Sequence, residues 1–168
     1  MNRNGIGWDE PVKDTECLQW ERWIDALDKL REVKIDRCFK PTGFGKVQET
    51  QLHLFSDASR EGYSGAAYLR LKDVTGKIHC SFVIRKARLA PIKEISIPRL
   101  ELTAAVISVK LSHAIGDELD LAVNKSVYWT DSTSVLKCIH NQTKRFHTFE
   151  SNRLTIIHDV LHPRSGGT

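Results

Sequence analysis

The sequence has no apolar run near the ~18 residues that a membrane span needs, and its first residues, Met1-Asn-Arg-Asn-Gly5, lack the apolar segment of a secretory signal. A soluble, cytoplasmic protein with no membrane partner is expected. Cysteine is sparse: Cys17, Cys38, Cys80 and Cys138 are scattered, with neither the paired spacing of a zinc site nor the density of a disulfide scaffold. Reduced, mostly buried thiols are the expectation. Internal repeats and low-complexity tracts are absent too, so each segment has its own pattern. Neither sign of charge dominates. Lys and Arg number 25 against 21 Asp and Glu, a net charge of +4 that suits a polyanionic partner without requiring one.

What remains is an ordinary globular composition, 40% hydrophobic and 27% charged over 168 residues, enough for one domain and a small appendage. Near the N-terminus, Asp14 or Thr15 can cap a helix in which Cys17, Trp20, Ile24 and Leu27 recur at helical spacing, with Trp23 and Leu30 widening the stripe. Val33–Phe39 reads as extended, and Pro41-Thr-Gly-Phe-Gly45 as a loop and boundary. Residues 1–46 are therefore expected to form a connector, and residues 47–159 the main domain.

From Gln51 the period changes to two: Leu52, Leu54 and Ser56 face one way, His53, Phe55 and Asp57 the other. Gly62–Leu71 and Lys77–Ile84 read as two further strands joined by a turn at Asp73–Gly76, an antiparallel meander. After a basic loop, Ser96 and Pro98 open a helix with an apolar stripe of Leu100, Ala104, Ile107 and Leu111. Beside it runs a stripe of small residues, Ala105, Ser108 and Ser112, headed by Glu101; so small a face lets the helix lie close to a sheet. Lys125–Thr130 reads as a fourth strand, Ser132–His140 as a helix, and Arg145–Asp159 as another. A strand that follows a helical crossover can lie parallel to the first strand, so an α/β fold with a mixed sheet is predicted.

Three acids hold corresponding places: Asp57 ends strand one, Asp131 ends strand four, and Glu101 sits in the first turns of the crossover helix. Parallel neighbours would bring Asp57 and Asp131 together at the strand ends, where open α/β sheets bind ligands. Clustered carboxylates repel one another unless a cation neutralises them, and an all-oxygen set favours Mg2+ or Mn2+ over zinc. Two such ions suit phosphodiester hydrolysis. Taken singly, a strand-end Asp is more often a cap, and a helix N-terminal Glu more often serves the dipole.

Phe55-Ser-Asp-Ala-Ser59, Ile97-Pro-Arg-Leu-Glu-Leu-Thr-Ala104 and Trp129-Thr-Asp-Ser132 resemble the three acid motifs of the ribonuclease H domain of BEL/Pao-type retrotransposon reverse transcriptases. Arg145-Phe-His147 and Asn152-Arg153 extend the resemblance. Upstream, Gly5-Ile-Gly-Trp-Asp9 and Trp20-Glu-Arg-Trp23 are similar to the segment that joins polymerase to ribonuclease H in those elements. The resemblance implies a ribonuclease H-like fold, Asp57, Glu101 and Asp131 as catalytic ligands of two metal ions, an RNA/DNA hybrid as substrate, and a reverse transcriptase polymerase domain upstream in the parent polyprotein. The family pattern continues past the last helix into a fifth strand and an Asn-Pro-Ala-Asp-like motif that supplies a fourth carboxylate. The sequence stops at Thr168 before that motif, and Asp159 does not match it. Residues 160–168 are accordingly expected to be an aberrant or disordered tail, strand four an open edge, and activity impaired. A catalytically inactive remnant that binds nucleic acid or a protein is the alternative.

The loop Arg85–Lys93 carries Arg85, Lys86, Arg88 and Lys93, and Lys144 and Arg145 lie near His147. These six cations are expected to bind nucleic-acid phosphates, positioning a duplex without reading its sequence; a solvated basic loop is the plainer possibility.

Overall fold

The computed structural model describes residues 9–34, 38–118, 122–141 and 145–161. The chain divides into two compact units, Met1–Cys38 and Phe39–Thr168. In the first unit, helix α1 spans Asp14–Leu27 and runs into a 3-10 helix at Asp28–Glu32. Its N-cap is Lys13, whose carbonyl accepts from the amides of Glu16 and Cys17. Asp14, expected as a cap, instead lies in the first turn with Glu16, where negative charge complements the helix dipole. Trp20 and Trp23 pack ring against ring at 4.9 Å, and no described residue of α1 is buried. The extended stretch expected at Val33–Phe39 includes residues 35–37, which lie outside the described residues.

The second unit begins its core before its first strand. Phe44 is buried, and Phe39 and Val47 pack against the same cluster. Strands β1 (Val47–Ala58), β2 (Gly62–Asp73) and β3 (Ile78–Leu89) form an antiparallel meander. The turn between β2 and β3 is held by buried Asp73, whose Oδ1 accepts from Thr75 N, Thr75 Oγ1 and Lys77 N at 2.8, 2.6 and 2.9 Å. Gly76, at φ 88°, takes the left-handed position that side chains avoid. Strand β4 (Lys125–Thr130) lies parallel to β1, giving the order β3-β2-β1-β4, the mixed sheet the sequence predicts.

Helix α2 (Ile97–Glu118) covers one face of this sheet. Ile107, Leu111 and Ile115 meet Leu52, Leu54, Ala67, Leu69 and Leu71. The small-residue stripe permits a close approach. Ser108 Oγ donates to the Phe55 carbonyl at 3.0 Å, and a Cβ on Gly65 would stand 2.9 Å from Ile107 Cγ2. The far side of α2 packs Leu102, Val106 and Val109 on Val135 of α3 (Thr133–His140) and on Leu154 and Ile157 of α4 (Thr148–Leu161).

Three expectations are corrected. The basic stretch is not wholly a loop: β3 runs through Leu89, so Arg85, Lys86 and Arg88 belong to a strand and Lys93 lies beyond it. The reason is the continued pairing of β3 with the start of β2, from Ala66↔Arg85 to Gly62↔Leu89. The thiols are not mostly buried; Cys17, Cys38 and Cys80 are exposed and Cys138 is partly buried. Cys80 lies on the terminal strand β3, which among the described residues has a neighbouring strand on one side only. Finally, α4 extends through Val160 and Leu161, and the rest of the expected tail, residues 162–168, lies outside the described residues. Among the described residues no helix is long and apolar enough to cross a membrane.

Candidate active site

The parallel ladder sets the positions of the two aspartates. Ser56 of β1 pairs with Thr130 of β4, the last rung of that ladder, so Asp57 and Asp131 are each the next residue along neighbouring strands running the same way. Both are exposed, and both line one open cavity of about 560 Å³, together with Ser64, Arg85, Trp129 and Thr130. Asp57 Oδ1 also accepts from the amide of Ala58 at 2.7 Å, which fixes its carboxylate against the strand end.

Glu101 does not line that cavity. It stands in the second turn of α2, and its Oε2 accepts from Ser132 Oγ at 2.6 Å. The same Ser132 oxygen accepts from Val135 N at 3.1 Å and caps α3. Glu101 is thus fastened to the residue directly after Asp131. The three predicted acids gather at one end of the sheet, but among the described residues no group of three or more acid, His or Cys side chains could hold an ion together. The donor chemistry of Asp57 and Asp131 fits a hard divalent cation, having carboxylate oxygens only. Glu101 would contribute through Oε1, or by releasing Ser132.

The predicted cations are dispersed. Arg85 joins the aspartates in their cavity, and Arg88 lines an adjoining one with Asp57, Glu61 and Arg85. Lys86 and Lys93 are exposed but line neither. Arg145 lies elsewhere, in a cavity with Arg99, His147 and Glu150, and Lys144 falls outside the described residues. Next to Arg145's cavity, Arg99 Nε bonds Glu150 Oε1 at 2.8 Å. Arg153, 3.5 Å over the Phe149 ring, donates to Thr103 Oγ1 at 2.9 Å. Desolvation works to raise the Glu150 pKa, but the Arg99 hydrogen bond and charge, a backbone hydrogen bond and the His147 charge together hold the carboxyl below its usual range.

Sequence reasoning missed two parts of this region. One is Ser132, whose signal was available: a Ser directly before a helical stretch is a cap, and here it follows a site acid. The other is a band of half-exposed aromatic rings beside the aspartates, Phe55, Tyr68, Phe82 and Trp129. Its members come from four strands, so only the pairing register reveals it.

Residues 1–132 match the family model described as Pao retrotransposon-like RNaseH-like domain. Among solved structures, the chain is similar to ribonuclease H1 of the halophilic archaeon Halobacterium salinarum NRC-1, with 12% identity and a TM-score of 0.41 over 70% of this chain and 77% of that one. It is also similar to the NurA nuclease of Sulfolobus solfataricus, with 12% identity and a TM-score of 0.38 over 88% of this chain and 51% of that one. No curated protein matches the sequence.

Proposed function

The chain belongs to the Pao retrotransposon-like RNaseH-like domain family, and from that premise we propose that it is a retrotransposon-derived endonuclease domain that hydrolyses the RNA strand of an RNA/DNA hybrid with Mg2+ or Mn2+. The observation that carries this reading is the placement of Asp57 and Asp131 at matching ends of parallel neighbours, in one open cavity. In it Asp57 and Asp131 would hold the divalent metal, with Glu101 joining them from α2. Such a metal, when bound, would supply an activated water and charge stabilisation for the leaving oxygen of the phosphodiester. Arg85 and Arg88, beside Asp57, contact phosphates of the hybrid and set its register. Lys86, Lys93, Lys144 and Arg145 add attraction along the duplex. In the parent polyprotein, a reverse transcriptase polymerase domain precedes residues 1–46, which act as its connector.

A second reading has one observation in its favour. The hydrogen bond from Ser132 engages Glu101 Oε2, which leaves only one of the two Glu101 oxygens without that tie. In this alternative the chain is a catalytically inactive remnant that binds nucleic acid. Incubating the protein with Mg2+ and end-labelled RNA/DNA, RNA/RNA and DNA/DNA duplexes separates the two. Cleavage confined to the RNA of the hybrid is the expected result. Binding of the duplexes with no cleavage in Mg2+ or Mn2+ would overturn the nuclease reading in favour of the binding module.

A further inference from the structure

Asp57 and Asp131 are exposed, but Ser132, directly after Asp131, is buried and bonded through its amide, its carbonyl and its hydroxyl. Ser132 N donates to Thr130 Oγ1 at 3.2 Å and Ser132 O accepts from Leu136 N at 3.1 Å, so the end of β4 and the first turn of α3 fix its backbone. The hydroxyl donates to Glu101 Oε2 at 2.6 Å and accepts from Val135 N at 3.1 Å. A hydroxyl-to-carboxylate bond this short is charge-assisted and stronger than a neutral one. Glu101 is itself half-buried. To turn both its oxygens toward one ion, it would have to break that bond and strand a buried hydroxyl without its acceptor, which is costly away from water.

The number of oxygens that a carboxylate offers discriminates between hard cations. Mg2+ demands a near-ideal octahedron at short range, whereas the larger Ca2+ takes more oxygens, in looser geometry, and accepts both from one carboxylate. The two oxygens of one carboxylate lie too close together to fill two corners of an octahedron. Mn2+ shares the octahedral preference of Mg2+. Asp57 is held in a similar way, since its Oδ1 already accepts from Ala58 N at 2.7 Å. Two of the three acids therefore each have one oxygen engaged by the protein before an ion arrives.

We infer that Ser132 is a positioning residue that sets the choice of ion: by keeping Glu101 Oε2, its hydroxyl makes Glu101 a one-oxygen ligand and biases the site toward Mg2+ and Mn2+ against Ca2+. The inference rests on the proposed metal site, and it decides between the two routes open to Glu101. The acid joins through Oε1, and Ser132 is not released.

The probe is Mn2+, titrated into the full chain and followed by paramagnetic broadening of amide signals near residues 57 and 131. Mg2+ or Ca2+, which broaden nothing, then displace it, and the two displacement midpoints give the preference between them. Ser132→Ala should shift that preference toward Ca2+ by about tenfold, the low end of what losing a group that orients a metal ligand does to affinity. Ser132→Thr, which keeps the hydroxyl, should stay near the wild-type value. Glycine is tolerated at an N-cap, so Ser132→Gly spares α3 while removing the hydroxyl, and it should shift the preference as Ser132→Ala does. In a Glu101→Gln background neither change should have this effect, because the hydroxyl acts through that carboxylate. An equal shift in that background would trace the effect to the fold and overturn the inference. So would tighter Mn2+ binding in Ser132→Gly with the preference unchanged, since the hydroxyl would then only hold Glu101 back. An unchanged preference in both variants, with Mn2+ still bound, would overturn the inference and leave the metal site standing. A wild-type chain that binds no Mn2+ at residues 57 and 131 would sink both.

Discussion

Ser132 Oγ donates to Glu101 Oε2 at 2.6 Å and accepts from Val135 N at 3.1 Å, so a single hydroxyl joins the crossover helix to the start of α3, directly after Asp131. Ser132 is buried, so no water replaces the lost bonds when its hydroxyl is removed. Ser132→Ala removes an N-cap, worth about 0.5–2 kcal/mol. The expected result in denaturant unfolding is a loss near the top of that range, because Glu101 also loses its partner. Ser132→Thr, which keeps the hydroxyl, should recover most of it.

Gly65 sets how closely α2 approaches the sheet. A Cβ there would meet Ile107 Cγ2 at 2.9 Å, Ser108 Oγ at 3.0 Å and Ser108 N at 3.2 Å, the last a backbone atom that cannot rotate away. Gly65→Ala should therefore destabilise by about 1–3 kcal/mol, the usual cost of overpacking. Thermal unfolding measures it, and an unchanged midpoint would mean that α2 sits further from β2 than described.

His53 carries a pH dependence. Its pKa lies below the ordinary 6.5, first because the ring is partly desolvated and then because Arg70 and Lys125 repel a second positive charge. Protonation would also place a hydrogen on Nδ1, the atom that accepts from Trp129. The unfolded chain takes up this proton near pH 6.5 while the folded chain does not. Stability is therefore fully present above that pH, declines as pH falls below it, and stops declining below the folded pKa. An NMR titration of the His53 ring should give a midpoint under 6.5, and Trp129→Phe should raise it.

Much of this was legible in the sequence because it depends on local pattern. Alternation from Gln51 located β1, the small-residue stripe of Ala105, Ser108 and Ser112 marked a close-packed helix, and a helical crossover before Lys125–Thr130 predicted the parallel ladder that pairs Asp57 with Asp131. What stayed hidden depends on register. Val83 shifts the pairing of β3, which moves Arg85 onto the open face, and continued pairing with the start of β2 makes a strand of the expected loop. Phe55, Tyr68, Phe82 and Trp129 are far apart in the chain, and nothing in their spacing announces a row of rings. The Glu101–Ser132 bond escaped for a related reason: sequence placed the acid near the strand ends but could not say which neighbour would hold it.

Mn2+ titration of the full chain tests whether Asp57 and Asp131 form one divalent-metal site. Asn is nearly the shape of Asp but lacks its charge, so Asp57→Asn and Asp131→Asn remove a ligand charge and leave the sheet intact. Mn2+ should bind the wild-type protein and selectively broaden amide NMR signals at the ends of β1 and β4. Each substitution should weaken that binding at least tenfold without moving the thermal midpoint by more than a few degrees. Unchanged Mn2+ affinity in both variants, or broadening centred away from residues 57 and 131, would rule out a metal site on this pair of aspartates.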